Sequence, residues 1–190
     1  MNELFLETAR YLGYKGNEPD SIVSDMINEC LLTVKEKSDF RASYKTFSLL
    51  LDGNNINIGG TEIESKTLSF HLKDCHSAYL VCATLGAEID RLLLKYSVSD
   101  IAKCSVLQAA ASAYLEDLLD ELCDNLSLVE KEKGNALHTR YSAGYGDFSL
   151  LHQKDILSQL GASKIGVGTT DACALTPSKS VTAVIGIYRN

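Results

Sequence analysis

Two periods of hydrophobicity share this chain. Between Asn2 and about Ser38 apolar residues recur at helical spacing in two blocks. Leu4, Ala9 and Leu12 fall near one side of a first helix, which Gly13 and Gly16 stop. Ile22, Met26, Ile27, Cys30, Leu31 and Val34 form the stripe of a second. Asp20 or Ser21 offers a side-chain oxygen to that helix's first free amides, and Pro19 sets its start.

The period changes near Arg41. Tyr44 to Leu51 is rich in aromatic and aliphatic residues, Asp52-Gly53-Asn54-Asn55 signals a turn, and Ile56-Asn57-Ile58 alternates. Together they predict a strand, a turn and a returning strand. After Gly59-Gly60 a short helix is expected over Ser65 to Leu72, with Leu68 and Leu72 on one side. Ser77 to Thr84 reads as a buried strand, leading into a helix from about Gly86 to Lys95 with Ile89, Leu92 and Leu93 inward.

The longest helical signal runs from Asp100 to about Lys131. Its apolar residues, among them Val106, Leu107, Ala110, Leu115, Leu119 and Leu126, cover much of the circumference, which predicts a central helix. Ala109-Ala110-Ala111 leaves room for another element to come close. The acids Glu116, Asp117, Asp120, Glu121 and Asp124 occupy what is left, as a solvated face. A helix from Ser149 to Leu160 closed by Gly161, a stretch Ile165 to Val167 and a break at Thr176-Pro177-Ser178 follow. In the last strand, Ser180 to Tyr188, Val181, Ala183, Ile185 and Ile187 face one way and Thr182, Val184, Gly186 and Tyr188 the other.

Helices and strands mix without βαβ repetition, an internal repeat or a low-complexity linker. The class predicted is α+β, a mixed or antiparallel twisted sheet with packed helices. One continuous domain over 1–190 is expected, with an N-terminal helical segment (1–40) and an α+β core (41–190).

Composition narrows function mainly by exclusion. Of 190 residues, 45% are hydrophobic and the net charge is −7, with no cluster of Lys and Arg to meet a phosphate backbone. No run is long enough to span a bilayer, and Met1 to Tyr14 is too short and too charged for a secretory signal. Six cysteines without a CxxC pair read as reduced, packed thiols of a cytoplasmic protein. His71 and Cys75 would share a helix face, but two ligands make no zinc site, so no metal is expected.

Candidate chemistry concentrates in Arg140-Tyr141-Ser142-Ala143-Gly144-Tyr145-Gly146-Asp147-Phe148. An arginine fork grips a carboxylate with two parallel hydrogen bonds. A glycine admits a ligand close to the backbone, and flat rings offer surface to a base or a cation. The set suits a small zwitterion and includes no nucleophile or proton-transfer pair; an arginine paired with a nearby acid in a well-packed loop is the plainer reading. Ile165-Gly166-Val167-Gly168 lacks the third glycine of a dinucleotide loop and the lysine of a P-loop, so a turn explains it. His138 and His152 bracket the Arg140 segment and read as surface histidines.

In order and number these segments resemble the activation (reactivation) domain of cobalamin-dependent methionine synthase, and in particular its short free-standing members. The resemblance covers nearly the whole chain. It runs through Arg10-Tyr11-Leu12-Gly13-Tyr14-Lys15-Gly16, Ser65-Lys66-Thr67-Leu68, Ala83-Thr84-Leu85-Gly86, the Arg140 segment with Gln153-Lys154-Asp155, Thr170-Asp171 and Pro177-Ser178-Lys179-Ser180-Val181-Thr182.

That resemblance implies a function. The domain binds S-adenosylmethionine (SAM) over a corrin whose cobalt has oxidised to cob(II)alamin, a flavodoxin-like donor supplies an electron, and the SAM methyl group moves to cobalt. By position Arg140 would take the SAM carboxylate, Ala143 and Gly144 the backbone contacts, and Tyr145 the packing against ligand or corrin, with Glu116 on an acidic helix position facing the ligand. The chain contains no Asp-x-His-x-x-Gly motif for cobalamin, so the corrinoid would belong to a separate methionine synthase or related corrinoid methyltransferase.

Departures from the long fused relatives support an alternative. Gly146-Asp147-Phe148-Ser149-Leu150 replaces their proline- and cysteine-containing run, and their N-terminal acidic contact and late tyrosine contact have no counterpart. The alternative is a non-catalytic cap for a corrinoid protein with weak or lost SAM binding. An independent small-molecule methyltransferase fits less well, since the glycine-rich strand-to-helix loop of the common methyltransferase fold is missing.

Overall fold

The computed structural model describes residues 3–189; Met1, Asn2 and Asn190, the outermost ends of the expected domain, lie outside them. In chain order the helices are α1 (Glu3–Tyr11), α2 (Ser21–Lys37), α3 (Lys66–His71), α4 (Ala87–Ser99), α5 (Ile101–Glu132) and α6 (Gln153–Leu160). The strands are β1 (Arg41–Asp52), β2 (Asn55–Ile58), β3 (Thr61–Glu64), β4 (Cys75–Thr84), β5 (Asn135–Leu137), β6 (Gly168–Thr169), β7 (Leu175–Thr176) and β8 (Ser180–Arg189).

Six strands make one antiparallel sheet in the order β3-β2-β1-β4-β8-β5, while β6 and β7 pair by themselves. β1 is long enough to serve two partners. Its first part, Arg41 to Ser48, pairs with β4, and Leu49 to Asp52 turns back on β2. The α+β class predicted from the sequence is therefore the observed one.

Alternation along the two central strands divides the interior. Tyr79, Val81 and Ala83 of β4 and Ile185 and Ile187 of β8 point into a core shared with α1, α2, α4 and α5. Ala78, Leu80, Cys82 and Val184 point the other way, into a second core with α3, α6 and the β1–β2–β3 ribbon. The first core joins Leu4 and Ile27, from the N-terminal helices, to sheet residues. α5 lies along the sheet with Leu107, Ala110, Ala111 and Leu119 fully buried, and its 32 residues span about 48 Å. α1, α2 and α4 all pack against it.

Local chemistry starts the helices. The Asp20 carboxylate accepts from the Val23 amide, Ser65 from that of Leu68, and Asp100 from that of Lys103. Three expectations need correction. Ile22 is 73% exposed rather than part of the α2 stripe, because the first turn overhangs the core. The stretch after Ser149 begins as a 3₁₀ turn over Leu150–His152, and α6 starts only at Gln153. β3 and β5 also lie where no strand was expected. Among the described residues no helix is long and apolar enough to cross a membrane, and all six cysteines are free thiols.

Candidate ligand-binding site

β5 continues as an edge strand beside β8, and this edge carries the Arg140 segment. The His138 amide donates to the Gly186 carbonyl at 2.9 Å, and Tyr141 exchanges both backbone hydrogen bonds with Val184. A buried carboxylate at the end of α5 fixes the entry to this edge. Glu130 accepts from the Tyr79 hydroxyl, the Lys133 ammonium and the Asn135 side-chain amide, each at 2.7 Å. Burial alone would raise the pKa of that carboxyl, but the hydrogen bonds from Lys133, Asn135 and Tyr79 outweigh it and hold it at about 2.

Arg140 then turns toward α5. Its Nη2 donates to Glu116 Oε2 and its Nη1 to Asp120 Oδ1, both at 2.6 Å, and the Cys123 Sγ lies 3.6 Å from Nη1. The two acids stand four residues apart, so they share a face of the helix and each takes one arm of the fork. Only 21% of the arginine side chain remains exposed.

Beyond Tyr141 the chain makes a tight loop held at three points. The Tyr141 ring stacks beside His71 and Phe148. Phe148 is buried in the second core. Between them Asp147 reaches the start of α3, accepting from the Ser65 hydroxyl (2.6 Å), the Lys66 and Thr67 amides (2.8 and 3.0 Å) and the Thr67 hydroxyl. These donors, Ser65 first, hold its carboxyl well below the usual range.

The middle of the loop is left facing outward. Gly144 and Gly146 have φ of 97° and 55°, and a Cβ at Gly146 would come within 2.5 Å of the Thr67 hydroxyl oxygen. The Gly144 amide donates to the Phe148 carbonyl at 2.7 Å and is used inside the loop. Neither the Gly144 carbonyl nor the amide and carbonyl of Ala143 is hydrogen-bonded among the described residues. Tyr145 is 66% exposed at the rim.

Between loop, sheet and α5 opens a cleft of about 460 Å³, lined by Glu116, Asp120, Asp124, Arg140, Tyr145 and Ile185 among others. On the other side of the strand a more open cleft of about 900 Å³ presents Lys66, Phe70, His71, Lys73 and Tyr141. His138 borders both, and burial, with His71 beside it, lowers its pKa.

Of the residues singled out from the sequence, Arg140 and Glu116 are in direct contact, and Ala143, Gly144 and Tyr145 form the adjoining loop. The arginine paired with acids is also what the plainer reading expected. Asp120 and Cys123, expected on a solvated face and in packing, belong to the site as well; the spacing of four between Glu116, Asp120 and Asp124 was the signal for one acidic face. His152 instead stacks on Phe148 with its ring 3.7 Å from Asp155. α3 ends at His71 and β4 begins at Cys75, so these two share no helix face. Gly166 and Gly168 form a turn from a 3₁₀ segment into β6.

No protein-family model and no curated protein sequence matches the chain. Among solved structures it is similar to the crystal structure of a MetH reactivation domain bound to AdoHcy, with a TM-score of 0.66 over 98% of this chain and 76% of that one. The identity is 13%, so the likeness is one of fold.

Proposed function

We propose that this protein is a SAM-binding activator that supports reductive remethylation of cob(II)alamin carried by a separate methionine synthase or related corrinoid methyltransferase. The observation that carries the reading is the pairing of Arg140 with Glu116 and Asp120 at a cleft that Ser142 and Tyr145 also line, on the loop whose Ala143 amide and carbonyl and Gly144 carbonyl are unpaired among the described residues. One fixed cation beside two carboxylates matches the carboxylate and ammonium of an amino-acid ligand. The AdoHcy held by the structural neighbour is the demethylated form of SAM, which supports the same ligand class on this fold.

The residues fit the ligand without acid–base machinery. Methyl transfer from a sulfonium moves no proton, so the chain has only to bind, orient and exclude water. Arg140 and Glu116 would hold the amino-acid end, Ala143 and Gly144 the backbone contacts, and Tyr145 would lie against ligand or corrin. A corrinoid held by the partner would supply the cobalt acceptor for the methyl group, with the electron coming from a flavodoxin-like donor.

One observation favours a second reading, a cap that covers a corrinoid protein without methyl transfer. Both terminal nitrogens of Arg140 already donate to acids, so a ligand carboxylate has to share the fork with them or displace one. Calorimetric titration of the chain with SAM, for wild type and Arg140→Ala, tests the choice. Binding that the substitution abolishes is the expected result. Absence of SAM binding, alone and with a cob(II)alamin-loaded partner present, would leave the cap.

A further inference from the structure

We infer that the Arg140 cleft selects its ligand by charge, taking a sulfonium in preference to the thioether left after methyl loss. This rests on the SAM-binding reading above and adds to it a determinant of specificity and of product release.

The argument starts from the walls. The ionised side chains lining the cleft are the carboxylates of Glu116, Asp120 and Asp124 and the guanidinium of Arg140, so three negative charges against one positive leave a net of −2. No lysine lines it. His138 also borders the cleft, and burial, with His71 beside it, disfavours its charged form. Arg140 neutralises one oxygen each of Glu116 and Asp120. Asp124, one turn beyond Asp120 on α5, forms no hydrogen bond or ion pair among the described residues.

SAM and its thioether product share the adenosine, the ammonium and the carboxylate. They differ by a methyl group and one positive charge. SAM enters with a net charge of about +1 and leaves as a zwitterion of net charge about 0 at neutral pH, by the ordinary ionisation of its groups. Arg140 and one acid can satisfy the ends common to both. The remaining carboxylate charge then attracts the additional positive charge that the sulfonium carries and the thioether lacks. A unit charge a few ångströms from a carboxylate in a half-open site is worth about tenfold in affinity, after screening. Discrimination then needs no pocket for the methyl group, and transfer of that group removes the attraction that held the ligand.

The test is competitive calorimetry on the intact chain with three ligands: SAM, the thioether, and the amine analogue in which an ammonium replaces the sulfonium. Wild type should bind SAM about tenfold more tightly than the thioether, and the amine analogue should follow SAM. Asp124→Asn should shrink the ratio to a few-fold, by weakening SAM. Glu121→Gln, which removes the same charge from α5 outside the cleft lining, should leave the ratio unchanged.

Equal affinities in wild type, or an amine analogue that follows the thioether, would overturn the inference while the SAM reading survives. So would an Asp124→Asn ratio equal to that of Glu121→Gln. If a folded chain, with its corrinoid partner present, bound none of the three ligands, both would fall together.

Discussion

The Asp147 carboxylate accepts a 2.6 Å hydrogen bond from the Ser65 hydroxyl, joining the loop after Arg140 to the start of α3 across 82 residues of chain. The same carboxylate takes both amides that open that helix, so it caps α3 and closes the loop in one contact. Asp147→Ala should free the loop while leaving the two cores in place. The expected result is faster amide exchange over residues 142 to 148 and severalfold weaker SAM binding, with a nearly unchanged unfolding temperature. A fall in unfolding temperature matching the loss of binding would mean that the contact serves the fold as a whole.

Gly146 is constrained for a different reason. Its φ is positive, and an added Cβ would meet the Thr67 hydroxyl oxygen at 2.5 Å and the Tyr141 hydroxyl at 2.9 Å. Gly146→Ala should therefore cost about 1–2 kcal/mol from backbone strain and crowding. The cost is readable as a lower urea midpoint with unchanged slope. Ligand binding should weaken by more than that cost suggests, because Tyr141 and Asp147 are displaced together.

How far the sequence was legible follows from where each element's information lies. α5 and the β4–β8 pair announce themselves because long apolar stripes and two-sided alternation are written into consecutive residues. β3 presents four residues with one buried apolar side chain, Ile63, and β5 only three half-buried residues. Their strand character comes from the partner edges, β2 and β8, and not from their own pattern. The Arg140 segment stood out by its chemistry. Which of the acids between Glu116 and Asp124 on α5 would meet it depended on the rotation of that helix against the sheet, a tertiary fact. Asp147 could not be read as a cap because its helix lies some 80 residues upstream.

Lys179 sets a buried charge against the fold. Only 7% of it is exposed, its ammonium donates to the Ser112 hydroxyl at 2.8 Å, and it forms no ion pair among the described residues. Burial lowers its pKa from 10.5, with the Asp90 charge opposing. The unfolded chain thus holds that proton more tightly, so stability should rise as pH climbs toward 10.5. Lys179→Met fills the space without the charge, should gain about 1 kcal/mol at pH 7, and should flatten the rise. Urea unfolding at pH 7 and pH 9.5 measures both; a Met variant that unfolds more easily at each pH would contradict the argument.

Glu130 contributes in the opposite sense. Its carboxyl has an ordinary value of 4.5 and is held at about 2 in the folded protein, where Tyr79, Lys133 and Asn135 all donate to it. A depressed carboxyl stabilises the fold above its unfolded value and loses that contribution as pH falls through its folded one, here from about 4.5 to about 2. The shift corresponds to a contribution on the order of 3 kcal/mol at neutral pH, the side chain being almost fully buried. Glu130→Gln keeps the shape, leaves the Lys133 ammonium without its partner, and should cost about 1–3 kcal/mol at pH 7. At pH 2 to 3 the variant and wild type should converge, which urea unfolding at both pH values will show. Asn135 opens the strand that presents Arg140, so loosening it should weaken SAM binding at pH 7 even where the chain remains folded. A variant with full affinity and reduced stability would separate the latch from the site and confine Glu130 to the fold.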